Sequence, residues 1–472
     1  MSAVLRDVFD AISPLDHRYY ATSPELFDRL ASYLSERATI RYQARVEAAL
    51  VRALAQRNIC SEDVAREVEQ ACQQISPDEV YEEERRTRHN IRALVNVIRR
   101  RVSDDAKPFV HFTATSMDIV DTARSLQYRD VANELLIPQL VSFMKVLIAL
   151  ARREAETIQM GRTHGQHAVP ITFGFALAEY VSRLGSRLEK LQAATRNLRG
   201  KMAGAVGAYN ASALFFSDPD QFEREVLALV GLEPADHATQ VVEPEYVLDY
   251  MHAIVSAFGV LANFADDVRH LQRTEIGEVG EAFEAEQVGS STMPHKRNPW
   301  NFEHVKSLWK TFVPRMQTLY ADQISEHQRD LTNSASARFA AEIIAGFSAA
   351  LDRLERVTRR LVVDPKNMEA NFAASADYVI AEPLYILLAA HGHPDAHEAV
   401  RRLTLKYRRE EGRGLYAMAL EEDELRPYLA KFSAEQVAVL QDPRRYTGIA
   451  AQRARAVCDL WEARLAAIAA HG

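Results

Sequence analysis

Seven apolar residues, Val247, Met251, Ile254, Phe258, Leu261, Ala265 and Val268, follow one another at spacings of four and three, alternating without a break. Only a helix gathers such a row on one side. A row this long also asks for neighbouring helices lying nearly parallel to it, at about +20°. Three further rows repeat the demand. Phe173, Leu177, Val181, Leu184, Leu188, Leu191 and Leu198 form one; Leu140, Met144, Leu147 and Leu150 another, with Pro138 near its start; Ile344, Phe347, Leu351, Leu354 and Leu361 the last. No comparable period-2 alternation competes with them. Charged residues stand between the rows, so the helices read as amphipathic rather than membrane-buried. Glycine agrees: 18 in 472 residues is about 4%, against a usual share of roughly 7%. The fold class expected is all-α.

The same sequence excludes several functions. It has no GxxxxGK[ST] and no GxGxxG opening a helix after a strand, which removes P-loop and dinucleotide-binding readings. Lys and Arg number 57 against 65 Asp and Glu, a net charge of −8. Nucleic-acid binding needs a basic face, so no nucleic-acid partner is expected. Cys60, Cys72 and Cys458 make no CxxC pair, which fits a reducing compartment without disulfides or a zinc site. The opening MSAVLRDVFDAISPLDHRYY holds no long apolar run. No secretory signal or membrane span is expected, and the location expected is cytoplasmic.

Three segments are expected: an N-terminal helical domain over 1–112, a central long-helix domain over 113–365, and a C-terminal helical domain over 366–472. Helices with small residues on several faces would leave long seams exposed in a single chain. Assembly of identical chains would cover them.

The segment richest in chemistry is Gly289-Ser290-Ser291-Thr292-Met293-Pro294-His295-Lys296-Arg297-Asn298-Pro299, after which a helical pattern resumes at Phe302. It delivers hydroxyls, an ammonium and an amide to a helix start, where negative charge is favoured. This segment resembles the signature loop of the fumarase/aspartase superfamily, whose members release fumarate by cleaving a C–N or C–O bond. Thr113-Ala114-Thr115-Ser116-Met117-Asp118 and Gly161-Arg162-Thr163-His164-Gly165-Gln166-His167 resemble two further family segments, in family order. The resemblance spans roughly residues 12–345 and weakens towards the C-terminus. It implies a three-domain fold with a central long-helix bundle.

A finer resemblance is to the adenylosuccinate lyase family. Ser13-Pro14-Leu15-Asp16-His17-Arg18-Tyr19 is similar to its opening, Thr87-Arg88-His89-Asn90 to its histidine-bearing helix start, and Thr239-Gln240 to its succinyl-contacting segment. Gln328-Arg329-Asp330-Leu331-Thr332-Asn333-Ser334 with Arg338 is similar to its phosphate-gripping segment. His17 stands where that family usually has Gly. Asn90 stands where it usually has Asp, which removes a carboxylate beside His89.

Eliminating fumarate from a succinylated amine means removing a proton beside a carboxylate and protonating a leaving nitrogen. The carbanion must be held as a doubly charged aci-carboxylate, which calls for preorganised donors and cations. Lys296 and Asn298 lie six and eight residues after Ser290, so one turn of the loop can bring all three to one carboxylate. The resemblance makes Ser290 the base. A serine must lose its proton in an electropositive pocket to serve so. His164 suits the general acid, since imidazole titrates near neutrality. By resemblance Glu303 holds that imidazole charged and oriented, and His89 is a second catalytic or substrate-binding histidine flanked by Arg88 and Asn90. Thr115, Ser116 and Gln240 suit a carboxylate. Arg18, Tyr19, Arg329, Ser334 and Arg338 form a set that can grip a phosphate. His167 would share a helical face with His164, but no third ligand accompanies the pair, so no metal is expected.

The reading is a lyase acting on adenylosuccinate, and on SAICAR, with a small nucleotide as its only partner and no cofactor. The resemblance implies a homotetramer with each site built from three chains. A sister lyase acting on argininosuccinate, aspartate or fumarate would have little use for Arg18, Arg329 and Arg338. A catalytically dead scaffold would have lost Ser290, His164, Lys296 or Glu303, and all are present.

Overall fold

The computed structural model describes residues 8–283, 292–293, 295–330, 332–407 and 413–471. In chain order, the elements that position the site are helices α1 (Glu36–Gln56), α2 (Glu62–Gln73), α3 (Pro77–Thr87), α4 (Asn90–Arg100), α5 (Ser116–Val131) and α6 (Ile137–Arg153). Then come strands β1 (Ile158–Thr163) and β2 (Gln166–Thr172), followed by α7 (Phe173–Arg196), α8 (Glu245–Leu271), α9 (Trp300–Phe312) and α10 (Ser336–Arg359). The protein is all-α in class, as the apolar rows require.

Local sequence sets the helix ends. The Ser35 hydroxyl accepts the Ala38 N–H at 3.2 Å to open α1, and Ser76 with Glu79 closes a reciprocal cap before α3, with Pro77 as its first residue. A five-residue π turn, Ala132–Leu136, carries α5 into α6.

The apolar rows are the core. Met251, Ile254, Phe258, Leu261, Ala265 and Val268 on α8 are all buried, with Val247 half-buried at the end of the row. Every residue predicted for the rows on α6, α7 and α10 is buried too, including Leu198 and Leu361 just past the ends of α7 and α10. Removing Phe258, which is fully buried, would cost about 3–5 kcal/mol.

The chain divides into two compact units. One comprises the described residues of Met1–Val141, Ser186–Leu261 and Ser307–Asp352. In it α1 packs against α2 and α5 around Leu50, Leu54, Leu94 and Leu126, all fully buried. Tyr128 stacks on Tyr250 with ring centres 5.6 Å apart, and Phe258 meets Phe347 edge-on at 5.7 Å. Gly346 is needed here: a Cβ at that position would lie 2.2 Å from the Phe312 ring.

The second unit comprises the described residues of Ser142–Gly185, Ala262–Lys306 and Arg353–Gly472. Phe264 gathers Phe143, Tyr180 and Phe302 around it at 5.2–6.2 Å. A separate apolar cluster between Ile380 and Leu440 holds the C-terminal helices together.

Two findings depart from expectation. The segment around His164 is a β-hairpin rather than a helix, so His167 does not share a helical face with His164. Two further ladders, only two residues long, pair Arg199–Gly200 with Glu233–Pro234 and Val279–Gly280 with Val362–Val363. In addition, Ser116–Arg153 and Glu245–Leu271 are long and apolar enough to cross a membrane by length and composition, with mean hydropathies of 1.7 and 1.4 over their most apolar stretches. The sequence reading expected no such helix. Of those stretches, 56% and 67% are buried within the chain.

Candidate active site

In the first unit the residues predicted to meet a carboxylate, Thr115 and Ser116, lie at the N-terminus of α5. Thr115 is its N-cap, and the Asp118 carboxylate, one turn on, accepts the Thr115 N–H at 2.7 Å. Thr115 and Ser116 are half-buried, with two hydroxyls beside the first free N–H groups of a helix. That is a place for a carboxylate. The approach to it is strained: His111 and Thr113 hold φ of 65° and 63°, a region costly for side chains with a Cβ.

His111 was not singled out from the sequence. Its Nδ1 lies 2.7 Å from Oε1 of Glu47, which is fully buried. Burial works against the charged imidazole, but the Glu47 carboxylate prevails and raises the pKa. The other Glu47 oxygen is buried with no hydrogen-bond partner among the described residues. The signal available was position alone, a histidine four residues before Thr115.

His89 caps α4. Its Nδ1 accepts the Arg92 N–H at 3.2 Å, which leaves Nε2 to carry the ring proton and to donate. Arg88 before it turns the chain at φ 52°, and Arg88, His89 and Asn90 are all exposed. No acidic residue occupies the first turn of α4.

Gln240 and Arg329 are brought together. The Gln240 N–H donates to the Gln328 carbonyl at 3.2 Å. Arg329 sits at φ 112°, donates through one terminal nitrogen to the Asp322 carbonyl at 2.9 Å, and keeps a buried Nε with no hydrogen-bond partner among the described residues. It lines a cavity of about 70 Å³ with Asp121, Arg124 and Asn333. Ser334 and Arg338 are exposed at the start of α10. Arg18 is exposed and Tyr19 half-buried, both in the short π turn Leu15–Tyr19.

In the second unit His164 and Gly165 form the tip of the β1–β2 hairpin, at φ 53° and 72°. The tip is exposed, but its base is anchored. Fully buried Glu278 accepts from Arg162 at 2.6 Å, Gln159 at 2.8 Å and Asn371 at 2.8 Å. Gly161 lets the strands close, since a Cβ there would stand 2.5 Å from the Val169 carbonyl oxygen. His167 Nδ1 lies 2.7 Å from the Ser375 hydroxyl, and burial followed by the charge of Arg162 lowers its pKa.

Glu281 holds the entry to α9 in the same unit, accepting from the Asn301 N–H at 2.9 Å, the Asn301 amide at 2.7 Å and the Phe302 N–H at 3.2 Å. Burial, only partly offset by these bonds, raises its pKa. Glu303 is exposed in the first turn of α9, where the helix dipole favours a carboxylate. Lys296 is exposed and Asn298 half-buried. Gln272 donates to the Arg297 carbonyl between them at 3.2 Å. Ser290 lies outside the described residues. No hydrogen bond or ion pair joins Glu303 to His164 among the described residues.

Comparison with known proteins bears on these segments directly. The family model described as Lyase matches residues 17–311, and the one described as Adenylosuccinate lyase C-terminal matches residues 325–426. The adenylosuccinate lyase of Archaeoglobus fulgidus is 32% identical over 450 residues, covering 94% of this chain and 98% of that protein. That of Pyrococcus horikoshii is 33% identical over 458 residues, covering 96% and 98%. The chain belongs to the adenylosuccinate lyase family.

Among solved structures, fumarate lyase from Mesorhizobium sp. BNC1 superposes with a TM-score of 0.80 at 25% identity, over 92% of this chain and 97% of that one. The adenylosuccinate lyase likeness runs past residue 345, where the sequence reading had it fade, because the C-terminal match takes in residues up to 426. Several segments that carry predicted residues also carry strained backbone. Arg88, Thr113, His164, His327 and Arg329 are all non-glycine residues at positive φ, and each lies at or close to a predicted site position.

Proposed function

We propose that this chain cleaves adenylosuccinate to AMP and fumarate, and by the same elimination converts SAICAR to AICAR. Ser290 takes the proton from the carbon beside the carboxylate, and Lys296 with Asn298 stabilises the charge that develops there. His164, oriented by Glu303, gives a proton to the leaving nitrogen as the C–N bond breaks. Thr115, Ser116 and Gln240 hold the succinyl carboxylates. His89 donates through Nε2, with Arg88 and Asn90 beside it. Arg18, Tyr19, Arg329, Ser334 and Arg338 receive the phosphate end.

One observation carries the choice of substrate. The match described as Adenylosuccinate lyase C-terminal covers 325–426, the stretch that contains Arg329, Ser334 and Arg338. A buried Nε on Arg329 that has no hydrogen-bond partner among the described residues supports a group waiting for an anion.

The same reading has the chain working in the cytoplasm as a homotetramer, with the three-domain division at 112 and 365, sites shared between chains, and neither metal nor cofactor. The exposed remainder of the long apolar stretches Ser116–Arg153 and Glu245–Leu271 supports assembly. Fumarate release by purified protein, measured across adenylosuccinate, argininosuccinate and aspartate, tests the activity. Preference for argininosuccinate or aspartate would replace this reading with a sister lyase. Mixing inactive His164→Ala chains with inactive Ser290→Ala chains tests sharing: partial recovery is expected, and none in verified mixed tetramers would refute it.

A further inference from the structure

Lys201 and Asp118 form an ion pair in which both side chains are fully buried. Taking two charges out of water is costly, and well-packed apolar residues in their place are often as stable or more so. Stability is therefore a poor reason for the pair, and what it holds suggests another. One Asp118 oxygen accepts the Thr115 N–H at 2.7 Å, while the other accepts the Gly204 N–H at 3.2 Å and takes the Lys201 ammonium. Lys201 Nζ also donates to the Gly204 carbonyl at 3.1 Å. The backbone of Lys201 is fixed in turn, its N–H and carbonyl both bonded to the Thr122 hydroxyl of α5 at 3.0 Å.

The loop gripped this way continues to the other carboxylate-contacting segment. Gly204 and Gly207 turn it at φ 82° and 78°. Gly207 passes so close to Ala238 that a Cβ would stand 1.9 Å from its carbonyl oxygen, two residues before Gln240. Asp121, one turn after Asp118 on α5, accepts the Val242 N–H at 3.0 Å on the far side of Gln240. Thus the start of α5 and the Gln240 turn are tied to each other through Lys201, Asp118 and a loop that lies against both.

We propose that Lys201 is a positioning residue for the dicarboxylate end of the substrate, setting the spacing of Thr115 and Ser116 from Gln240 through Asp118 and the Gly204–Gly207 turn. Lys201 is fully buried, so it acts without touching substrate. The inference rests on the reading of Thr115, Ser116 and Gln240 as carboxylate contacts.

The test uses the full-length enzyme and two variants. Lys201→Met leaves Asp118 charged and unpaired, so it is expected to lose stability as well as activity. Lys201→Met/Asp118→Asn removes both charges, keeps a carbonyl acceptor for Thr115 or Gly204, and is expected to recover most of the parent's melting temperature. In that double variant, KM for adenylosuccinate and the inhibition constant of succinate should rise about 10-fold or more, since a misplacement near 1 Å can cost up to roughly 100-fold. The inhibition constant of AMP, which lacks the succinyl group, should stay within about 2-fold of the parent's.

A double variant with parental melting temperature and parental constants for adenylosuccinate and succinate overturns the positioning role. Equal weakening of succinate and AMP overturns it as well, since that is what a general structural role predicts. Thr115→Val and Ser116→Ala separate this inference from its premise. If both bind succinate as the parent does, the carboxylate reading itself has failed. If they lose succinate while the Lys201 double variant does not, only the positioning role has.

Discussion

The Thr115 segment and the His164 hairpin serve the proposed reaction from opposite physical situations. Thr115 and Ser116 sit half-buried on a polar network whose members, Asp118 and Lys201, are closed to water. His164 stands exposed at the tip of a hairpin, with its rigidity supplied lower down by Glu278. Groups that bind a carboxylate gain from being fixed before the ligand arrives, because reorganisation at the moment of reaction weakens electrostatic stabilisation. A group that gives up a proton must reach the substrate and exchange with solvent between turnovers. The strain at φ 63° in Thr113 and 53° in His164 is thus paired with two kinds of support. One is a buried clamp at the site itself, the other an anchor at its base.

The largest effect is expected from breaking the hairpin's anchor. Glu278→Ala strips a fully buried carboxylate from Arg162, Gln159 and Asn371. Loss of one partner from a buried pair costs about 3–5 kcal/mol, which thermal melting would show as a clear drop. A melting temperature within a degree or so of the parent's would mean that the hairpin stands without its anchor.

Removing the tip should leave the fold alone and stop the chemistry. His164→Ala is expected to lower turnover at least ~100-fold, the scale of a positioned proton transfer, with an unchanged circular dichroism spectrum. Near-normal turnover would remove His164 from the mechanism. Ser290→Ala should behave likewise.

The hairpin also shows where sequence reasoning ran out. The apolar rows were legible because a helix repeats its demand every three or four residues, and Met251 through Val268 are buried as spaced. The stretch from Ile158 to Thr172 repeats nothing for long enough. Its decisive feature is a tight turn with two consecutive residues at positive φ, the geometry that suits a two-residue hairpin. His164, a non-glycine residue, fills the first of those positions, so the turn signal was weak. The proposed binding residues were readable as motifs, but the contacts that support them were not. Lys201 and Asp118 are 83 residues apart, and His111 finds Glu47 across 64. Such pairs leave no local pattern to read.

A smaller effect should come from Arg329, on the binding side of the comparison. Arg329→Met removes a charge-assisted bond worth roughly 1.5–3 kcal/mol, or about 10- to 150-fold in kcat/KM for adenylosuccinate. Its melting temperature should barely move. Equal losses on a succinylated nucleoside without phosphate would mean that Arg329 only supports the fold.

The smallest effect is a pH dependence in the same unit. The pKa of His111 is raised in the folded protein, through Glu47. The stability this pair contributes is therefore fully present below the ordinary imidazole value of about 6.5. It is lost as pH rises through the raised value of His111. The difference in melting temperature between the parent and Glu47→Gln should accordingly be greatest in mild acid and shrink towards alkaline pH. A difference that stays constant with pH would mean that the pair does not titrate in that range.

In the proposed reaction both kinds of segment act on a succinylated nucleotide. The most direct measurement compares fumarate release from adenylosuccinate and from its dephosphorylated nucleoside by the same purified protein, each as kcat/KM. A strong preference for the nucleotide is expected, on the order of 10-fold or more for loss of the charge-assisted phosphate contacts. Equal rates on the two compounds, or release from neither, would contradict it.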